Sequence, residues 1–125
     1  MNKKSKNKRL IGAKYENLAV AKLTDEGYTI LERNFSCKLG EIDIIALNKE
    51  ALVFVEVKYR TNVSSGFPEE AVNYRKQRKI SLCADYYCMI KGIYDNENIR
   101  FDVIAVDDGS IRHYKNAFMY CGNNY

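Results

Sequence analysis

Two acidic motifs in neighbouring apolar segments have residue types that can do chemistry. One segment, rich in Val and Phe, carries Glu56 and Lys58 two residues apart, and the apolar segment just before it carries Glu41 and Asp43. A charge in a covered apolar segment is costly unless it is paired, hydrated in a cleft or bound to a metal. The motifs therefore indicate either a charged site or the point where two strands emerge into water.

The register of a hairpin decides whether these acids meet. The two segments are predicted to be antiparallel strands joined by a short turn. In one register Asn48 pairs with Ala51, and Asp43 then lies opposite Glu56 on one face. In the other register Leu47 pairs with Ala51, and the two acids lie on opposite faces unless a bulge intervenes.

An arrangement with the acids opposite each other favours a cation site. Two facing carboxylates repel, so they do not stabilise a hairpin by themselves. A divalent cation offsets both charges, and Mg²⁺ commonly binds one or two carboxylates together with waters and a substrate phosphate. Lys58 would add a fixed positive charge in the same space. The alternative is that Glu56 and Lys58 are simply hydrated at a strand end.

The elements that must position these residues form one α/β unit. Alternation and apolar periodicity predict a central mixed sheet of about five strands flanked by helices, in the order αβββαββ. Gly27 and Gly92 are plausible helix ends. The predicted segments are a helix over 10–26, strands over 28–35, 41–47 and 51–60, a helix from Pro68 to Lys91, and strands over 99–106 and 111–115.

Length and charge indicate one domain with a basic start. The chain has 125 residues, of which 46% are hydrophobic, which suits a single domain over residues 10–125. Five of the 20 basic residues lie in a predicted flexible tail over residues 1–9, so the remainder carries 15 basic and 16 acidic residues. A basic tail is typical either of a polyanionic partner or of a solubilising terminus.

Composition argues against several other classes of protein. No apolar stretch approaches the ~20 residues of a membrane span, and no secretory apolar segment follows the basic start. The four cysteines form no CxxC pair, and His113 is the single histidine, so a zinc site is not expected. We expect a cytoplasmic protein with reduced thiols and no membrane partner.

Motifs along most of the chain resemble one family. An acid on one strand followed by Glu-x-Lys on the next resembles the active site of the PD-(D/E)XK phosphodiesterases, metal-dependent nucleases with a restriction-endonuclease-like fold. Five motifs follow in order along the chain: Gly40-Glu41-Ile42-Asp43, Phe54-Val55-Glu56-Val57-Lys58-Tyr59-Arg60, Gly66-Phe67-Pro68, Arg100-Phe101-Asp102-Val103-Ile104 and Asn116-Ala117-Phe118. Together they resemble the YraN-like family, small bacterial proteins assigned to that fold.

The resemblance implies roles for the hairpin residues. Asp43 and Glu56 are expected to bind Mg²⁺ or Mn²⁺, with the carbonyl of Val57 as an extra ligand. Such a metal polarises a phosphate and lowers the pKa of its bound water. Lys58 is expected to orient or deprotonate the attacking water, or to stabilise the charge that develops on the phosphate. Glu41 is expected to support the site without binding the metal directly.

Glu16 is a further expected site residue whose role is open. The family tends to carry Gly-x-x-Gly-Glu in its first helix, whereas this chain has Gly12-Ala13-Lys14-Tyr15-Glu16. Tyr15 replaces the second glycine and is expected to crowd a close backbone approach. Glu16 either supports the metal through a water or orients Lys58, or it is a hydrated helix residue.

Basic residues beyond the hairpin are expected to contact nucleic acid. Lys76 matches a lysine that the family tends to carry after its loop, and a helix that starts near Pro68 would aim it at the site and at a phosphate. Arg60 and Arg75 are further candidates for phosphate contacts. The alternative for Lys76 is an ordinary exposed lysine.

The function implied by the resemblance is hydrolysis of DNA phosphodiester bonds. Analogy with junction-cleaving enzymes of this fold suggests branched or damaged DNA in repair or recombination, and a homodimer suits that activity. The alternative is a non-catalytic nucleic-acid-binding or scaffold protein that keeps the fold. Retention of Asp43, Glu56 and Lys58 favours the nuclease. A third interpretation is a structural domain with hydrated acids, which Asp43 and Glu56 on opposite faces would favour.

Overall fold

The order of elements is the one that the apolar patterns predict. The computed structural model describes residues 3–49, 51–59, 72–93, 98–107 and 110–122, and the side chains of residues 3–8 lie outside that description. The αβββαββ order of the described elements confirms the predicted mixed α/β class. The elements are α1 (Lys3–Asp25), β1 (Thr29–Cys37), β2 (Gly40–Asn48), β3 (Ala51–Tyr59), α2 (Tyr74–Ile90), β4 (Ile99–Asp107) and β5 (Ser110–Phe118).

The strands form one mixed sheet in the order β1-β2-β3-β4-β5. β3 and β4 are parallel, and each of the other neighbouring pairs is antiparallel. Parallel neighbours need a crossover connection, and α2 lies between β3 and β4 along the chain. β3 is therefore the middle strand, as its apolar residues on both faces predict.

Each face of the sheet is covered by one helix, and we name the faces after these helices. On the α1 face, Ala19 and Leu23 form a core with Val53 and Val55 of β3. On the α2 face, Phe54 of β3 belongs to a second core. Other members of that second core are Phe35, Ile42, Ile45, Leu52, Ile80, Cys83, Ala84, Tyr87, Phe101 and Phe118.

The β2–β3 register is the one of the two alternatives that brings the acids level. Asn48 pairs with Ala51, and Leu47 pairs with Leu52 rather than with Ala51. Lys49 begins the two-residue turn with a positive φ of 56°. The register that would have separated the two acids is therefore excluded.

Element ends agree with the predicted stops but not with all predicted starts. Gly27 and Gly92 follow the two helices with φ of 91° and 70°, as expected for helix-terminating glycines. α2 is described from Tyr74, with the Asn73 side chain accepting the Lys76 N–H at 2.9 Å, while the predicted start at Pro68 lies outside the described residues. The last strand continues to Phe118, beyond the predicted end at residue 115.

α1 begins earlier than the sequence predicts. Its helical backbone starts at Lys3, whereas periodicity predicted a start at residue 10. The difference arises because the basic residues before Leu10 have no apolar period yet have good helix propensity. Mobility of the 1–9 segment in solution stays a prediction. No helix in the described part of the chain is both long and apolar enough to cross a membrane.

Candidate active site

Asp43 and Glu56 lie just beyond the end of the β2–β3 ladder. Pairing between these strands ends at Ile44 and Val55. Beyond this point, the N–H of Val57 on β3 donates to Asp43 Oδ2 on β2 at 2.8 Å. The Asp43 carboxylate therefore bridges the two strands where their regular pairing has stopped.

A break in the alternation of β2 changes the direction of Asp43. Ile42 and Ile45 both belong to the α2-face core, although residues three apart in a regular strand point to opposite faces. Level with Asp43 on β1, Asn34 has a φ of 54°, a left-handed conformation that asparagine tolerates better than most residues. This local distortion lets Asp43 line a cavity on the α1 face.

That cavity has a volume of about 670 Å³ and combines acidic, basic and aromatic groups. Such a volume lies within the ordinary range for small-molecule sites. Its lining combines charged side chains with the rings of Tyr15 and Tyr59, so it suits a charged group that carries a flat or apolar part. The lining residues are Arg9, Gly12, Ala13, Tyr15, Glu16, Arg33, Asn34, Glu41, Asp43, Val57 and Tyr59.

Asp43 is poised to change its protonation state near neutral pH. The pKa of Asp43 is raised to about 7, mainly by burial and then by the negative charge of Glu56. Glu16 and Glu41 contribute smaller increases to this value, and the hydrogen bond from Val57 opposes them. A cation bound beside Asp43 would favour its ionised form.

Two lysines neutralise Glu56 from different elements. The Glu56 side chain is only 6% exposed, and its Oε1 lies 3.1 Å from Lys76 Nζ and 3.8 Å from Lys58 Nζ. Partial burial alone would lower the pKa of Lys76, but the Glu56 carboxylate outweighs it and the net pKa is raised. Lys76 is therefore an ion-pair partner of Glu56, while 44% of its side chain is exposed. A contact of Lys76 with nucleic acid stays a prediction.

Glu16 is buried, which excludes its interpretation as a hydrated helix residue. It is 8% exposed, and its Oε1 accepts hydrogen bonds at 3.0 Å from both Arg33 Nε and Asn34 Nδ2. These bonds fasten α1 to the distorted part of β1 beside Asp43. Sequence reasoning missed Arg33 and Asn34, and their only signal is a run of three polar residues, Glu32 to Asn34, which breaks the alternation of the strand.

The two central acids contact groups on different sides of the sheet. Asp43 opens into the cavity beneath α1, whereas Glu56 reaches Lys76 on α2. Their charges nevertheless interact, because Glu56 is the main charged group that raises the pKa of Asp43. The expected shared face is therefore not realised. Acids on different sides are the arrangement that the structural-domain interpretation predicts, although Glu56 is buried rather than hydrated.

Tyr15 forms part of the cavity wall. Its ring stacks on Tyr59 with ring centroids 3.8 Å apart and an interplanar angle of 15°. Since Tyr59 ends β3, the pair ties α1 to the strand that carries Glu56 and Lys58. Tyr15 therefore fills the space beside the strand end, in line with the crowding expected at this position.

The remaining predicted residues lie at the margins of the site. Glu41 is exposed, lines the cavity and contributes charge to Asp43, as a supporting acid should. Arg75 is exposed in the first turn of α2. Arg60 lies outside the described residues.

The donor set suits a hard divalent cation with few protein ligands. Asp43 and Glu56 offer carboxylate oxygens, which Mg²⁺ and Mn²⁺ favour over nitrogen or sulfur donors. Among the residues that the structure describes, no three His, Cys, Asp or Glu side chains are grouped closely enough to hold a metal ion. A cation held by this pair would have to keep several waters or a substrate phosphate. Metal binding by Asp43 and Glu56, and the Val57 carbonyl as a ligand, stay predictions.

The protein is a mixed α/β fold in which a five-stranded sheet lies between two helices. Two acids and Lys58 lie near the end of the central hairpin, and Lys76 of α2 contacts Glu56. The model of a family described as "Uncharacterised protein family UPF0102" matches residues 15–106. A UPF0102 protein of Lachnoclostridium phytofermentans is 49% identical over 112 residues, covering 90% of this chain and 95% of the relative. The chain belongs to the UPF0102 family, which confirms the YraN-like resemblance.

Two further relatives extend the similarity to other organisms. A UPF0102 protein of Clostridium botulinum is 48% identical over 114 residues, which cover 86% of this chain and 93% of the relative. One of Caldanaerobacter subterraneus is 48% identical over 103 residues, which cover 82% and 84%. The family match includes every described site residue from Tyr15 to Lys76.

Proposed function

We propose that this protein is a metal-dependent nuclease of the PD-(D/E)XK type that hydrolyses DNA phosphodiester bonds. Branched DNA in repair or recombination is the proposed substrate, by analogy with junction-cleaving enzymes of that fold. The observation that carries the proposal is the charge at the hairpin end, where burial and the negative charge of Glu56 raise the pKa of Asp43 and two lysines lie beside Glu56. Such an arrangement weakens a purely structural hairpin and favours a cation.

Asp43 and Glu56 are the residues that would hold Mg²⁺ or Mn²⁺, with the carbonyl of Val57 as an extra ligand. The bound cation supplies a polarised phosphate and a water of lowered pKa. Val57 also holds Asp43 in place, since its N–H donates to Oδ2. This hydrogen bond fixes the carboxylate before a ligand arrives, which reduces the cost of ordering the site.

Lys58 and Lys76 supply positive charge from two directions. Lys58 orients or deprotonates the attacking water, or stabilises the charge that develops on the phosphate. Lys76 contacts Glu56 from the first turn of α2, where the helix dipole also favours an anion. If Glu56 held a cation, Lys76 would be free to contact a DNA phosphate beside the exposed Arg75.

A non-catalytic nucleic-acid-binding protein is the second candidate, and two observations favour it. Glu56 is already neutralised by two lysines, and Asp43 opens toward the opposite side of the sheet. A protein of this kind would bind DNA through its basic residues, and Asp43 would stay protonated. The two candidates differ in whether DNA is cut when a divalent cation is present.

A cleavage assay on defined DNA structures tests the proposal. The purified protein is incubated with Mg²⁺ or Mn²⁺ and end-labelled four-way junctions, flaps, single strands and linear duplexes. We expect the native protein to cut branched DNA, and Asp43→Asn, Glu56→Gln and Lys58→Ala to lose about 100-fold or more of the rate. Lys115→Ala, an exposed lysine of β5, is the matched control and should cut at the native rate.

Three outcomes separate the interpretations. Cleavage that survives Lys58→Ala would overturn the role of that lysine. DNA binding without cleavage of any structure, in either metal, would support the non-catalytic candidate. Cleavage by Asp43→Asn and Glu56→Gln at the native rate would place the chemistry elsewhere or in a contaminant.

A further inference from the structure

Two cysteine thiols lie in contact beside the candidate site. Cys37 ends β1 and Cys83 lies in the middle of α2, 46 residues later in the chain. Their sulfur atoms are 3.3 Å apart. Formation of a disulfide, with an S–S bond of about 2.05 Å, requires the sulfurs to approach by about 1.3 Å.

Backbone groups hold both sulfurs in this position. The N–H of Leu39 donates to Cys37 Sγ at 3.3 Å, and Cys83 Sγ lies 3.6 Å from the carbonyl oxygen of Gly40. Leu39 lies in the β1–β2 turn and Gly40 is the first residue of β2, so the backbone where β2 begins contacts both thiols. The contact between the thiols is therefore part of the packing between this turn and α2.

The two thiols differ in their access to solvent. Cys37 is half-buried at the edge of the sheet, whereas Cys83 is fully buried in the α2-face core. Burial, together with the neighbouring Cys37, raises the pKa of Cys83 to about 12. A dissolved oxidant thus meets Cys37 first, and Cys83 stays a protonated thiol until a partner forms beside it.

The other two cysteines lack this arrangement. Cys88 is buried near the end of α2, and Cys121 lies 3.8 Å from Ser81 Oγ. Cys121 is half-buried like Cys37. It therefore matches Cys37 in exposure while having a hydroxyl, not a thiol, as its neighbour.

We propose that Cys37 and Cys83 form a reversible intramolecular disulfide when a hydroperoxide oxidises Cys37. The Cys37 sulfur attacks a peroxide oxygen, an S–O bond forms, and the O–O bond breaks to leave a sulfenic acid and one water from hydrogen peroxide. The Cys83 sulfur then attacks Cys37 Sγ, the S–S bond forms, and the S–O bond breaks as hydroxide takes the Cys83 proton and leaves as a second water. Two thiols are oxidised by two electrons, and the peroxide is reduced.

The disulfide would fasten the elements that carry the candidate site. Its β1 end adjoins the turn that leads into Glu41 and Asp43, and its α2 end lies two helical turns after Lys76. Oxidation therefore fixes the position of α2 relative to the β2 strand end. The modification itself does not depend on the proposed nuclease activity.

Mass spectrometry of the oxidised protein tests the proposal. The reduced native protein is treated with hydrogen peroxide, its free thiols are alkylated, and the intact mass and unreduced peptides are measured. We expect a mass decrease of two hydrogen atoms before alkylation, two alkyl groups instead of four after it, and a linked peptide pair containing Cys37 and Cys83. Treatment with dithiothreitol should restore all four thiols.

Variants make the result specific. Cys37→Ser should form no linked peptide, whereas Cys121→Ser should form it to the native extent. Oxidation of Cys37 to a sulfinic acid with Cys83 still alkylatable would overturn the proposal, as would a link that forms only between molecules. The native peptide map decides the question by itself if Cys37→Ser does not fold.

Discussion

Lys76 Nζ lies 3.1 Å from Glu56 Oε1 and joins the first turn of α2 to the central strand. The glutamate side chain is 6% exposed and the lysine side chain is 44% exposed, so the charge that needs a partner is the glutamate. Lys58, at 3.8 Å from the same oxygen, is the weaker partner. The position of α2 is therefore coupled to the charge on Glu56, and a cation at Glu56 competes with Lys76.

Removal of Lys76 should strengthen binding of a divalent cation. In Lys76→Ala the competing ammonium is gone, and we expect Mn²⁺ to bind about five-fold more tightly, which corresponds to about 1 kcal/mol. Without metal, the same variant should lose about 1 kcal/mol of unfolding free energy, a value reduced by the exposure of the lysine. Calorimetry and urea unfolding in a chelator measure the two effects, and Lys79→Ala, which removes another exposed lysine of α2, should show neither. Unchanged or weaker Mn²⁺ binding would contradict the competition.

The raised pKa of Asp43 predicts how stability depends on pH in the metal-free protein. Because folded Asp43 keeps its proton up to about pH 7 and unfolded aspartate loses it near pH 4, the folded state binds more protons between these values. The stabilisation from this group is full below about pH 4 and is lost as the pH rises through about 7.

Asp43→Asn isolates that contribution. As the pH rises from about 4 to about 8, the unfolding free energy should fall less in the variant than in the native protein. The difference between the two decreases should be at most about 4 kcal/mol. Urea unfolding at several pH values in a chelator gives the difference between the two proteins. Parallel pH profiles for native protein and variant would show that Asp43 ionises normally.

A separate network should control stability without affecting the candidate site. Asp102 is fully buried and accepts hydrogen bonds from Arg100, His113 and the N–H of Asn116. Burial alone would raise the pKa of Asp102, but these hydrogen bonds outweigh it and hold the pKa below its usual range. Its stabilisation is present above about pH 4 and is lost as the pH falls further.

Asp102→Ala should therefore cost about 3 kcal/mol of unfolding free energy near neutral pH, because it leaves Arg100 and His113 without their buried partner. Asp25→Ala, at the exposed end of α1, should cost less than about 0.5 kcal/mol. Mn²⁺ affinity of folded Asp102→Ala should equal that of the native protein. A loss of affinity at full folding would connect this network to the site.

The stack of Tyr15 on Tyr59 predicts how much unfolding free energy is lost when Tyr15 is replaced by glycine. Tyr15→Gly removes the ring contact with Tyr59 and places a glycine inside α1, which together cost about 2 kcal/mol. Tyr15→Phe keeps the stack and should lie within about 0.5 kcal/mol of the native protein. Thermal unfolding of both variants checks the difference, and equal stabilities would show that the stack contributes nothing.

The hairpin register was one of two alternatives that the sequence left open. In the structure Asn48 pairs with Ala51, the alternative that brings Asp43 level with Glu56. That alternative assumed regular alternation, and the distortion at Asn34 overrides the assumption, since asparagine alone does not reveal a positive φ.

Contacts between distant segments were beyond the reach of sequence patterns. The pairing of Lys76 with Glu56 depends on where α2 lies over the sheet, and the burial of Glu16 depends on Arg33 from another element. Cys37 and Cys83 are 46 residues apart in the chain, so no local sequence pattern predicts their contact. The family resemblance predicted roles for single residues, whereas the ion pairs and hydrogen bonds between distant residues became known only from the fold.

Calorimetric titration of Mn²⁺ in the presence of a non-cleavable branched DNA tests the central claim most directly. The native protein should show saturable binding, Asp43→Ala and Glu56→Ala should each abolish it, and Glu41→Gln should retain it. Including DNA supplies the phosphate that completes a Mg²⁺-type site. Absence of Mn²⁺ binding by the native protein under these conditions, or binding that persists in both alanine variants, would contradict a metal centre built from Asp43 and Glu56.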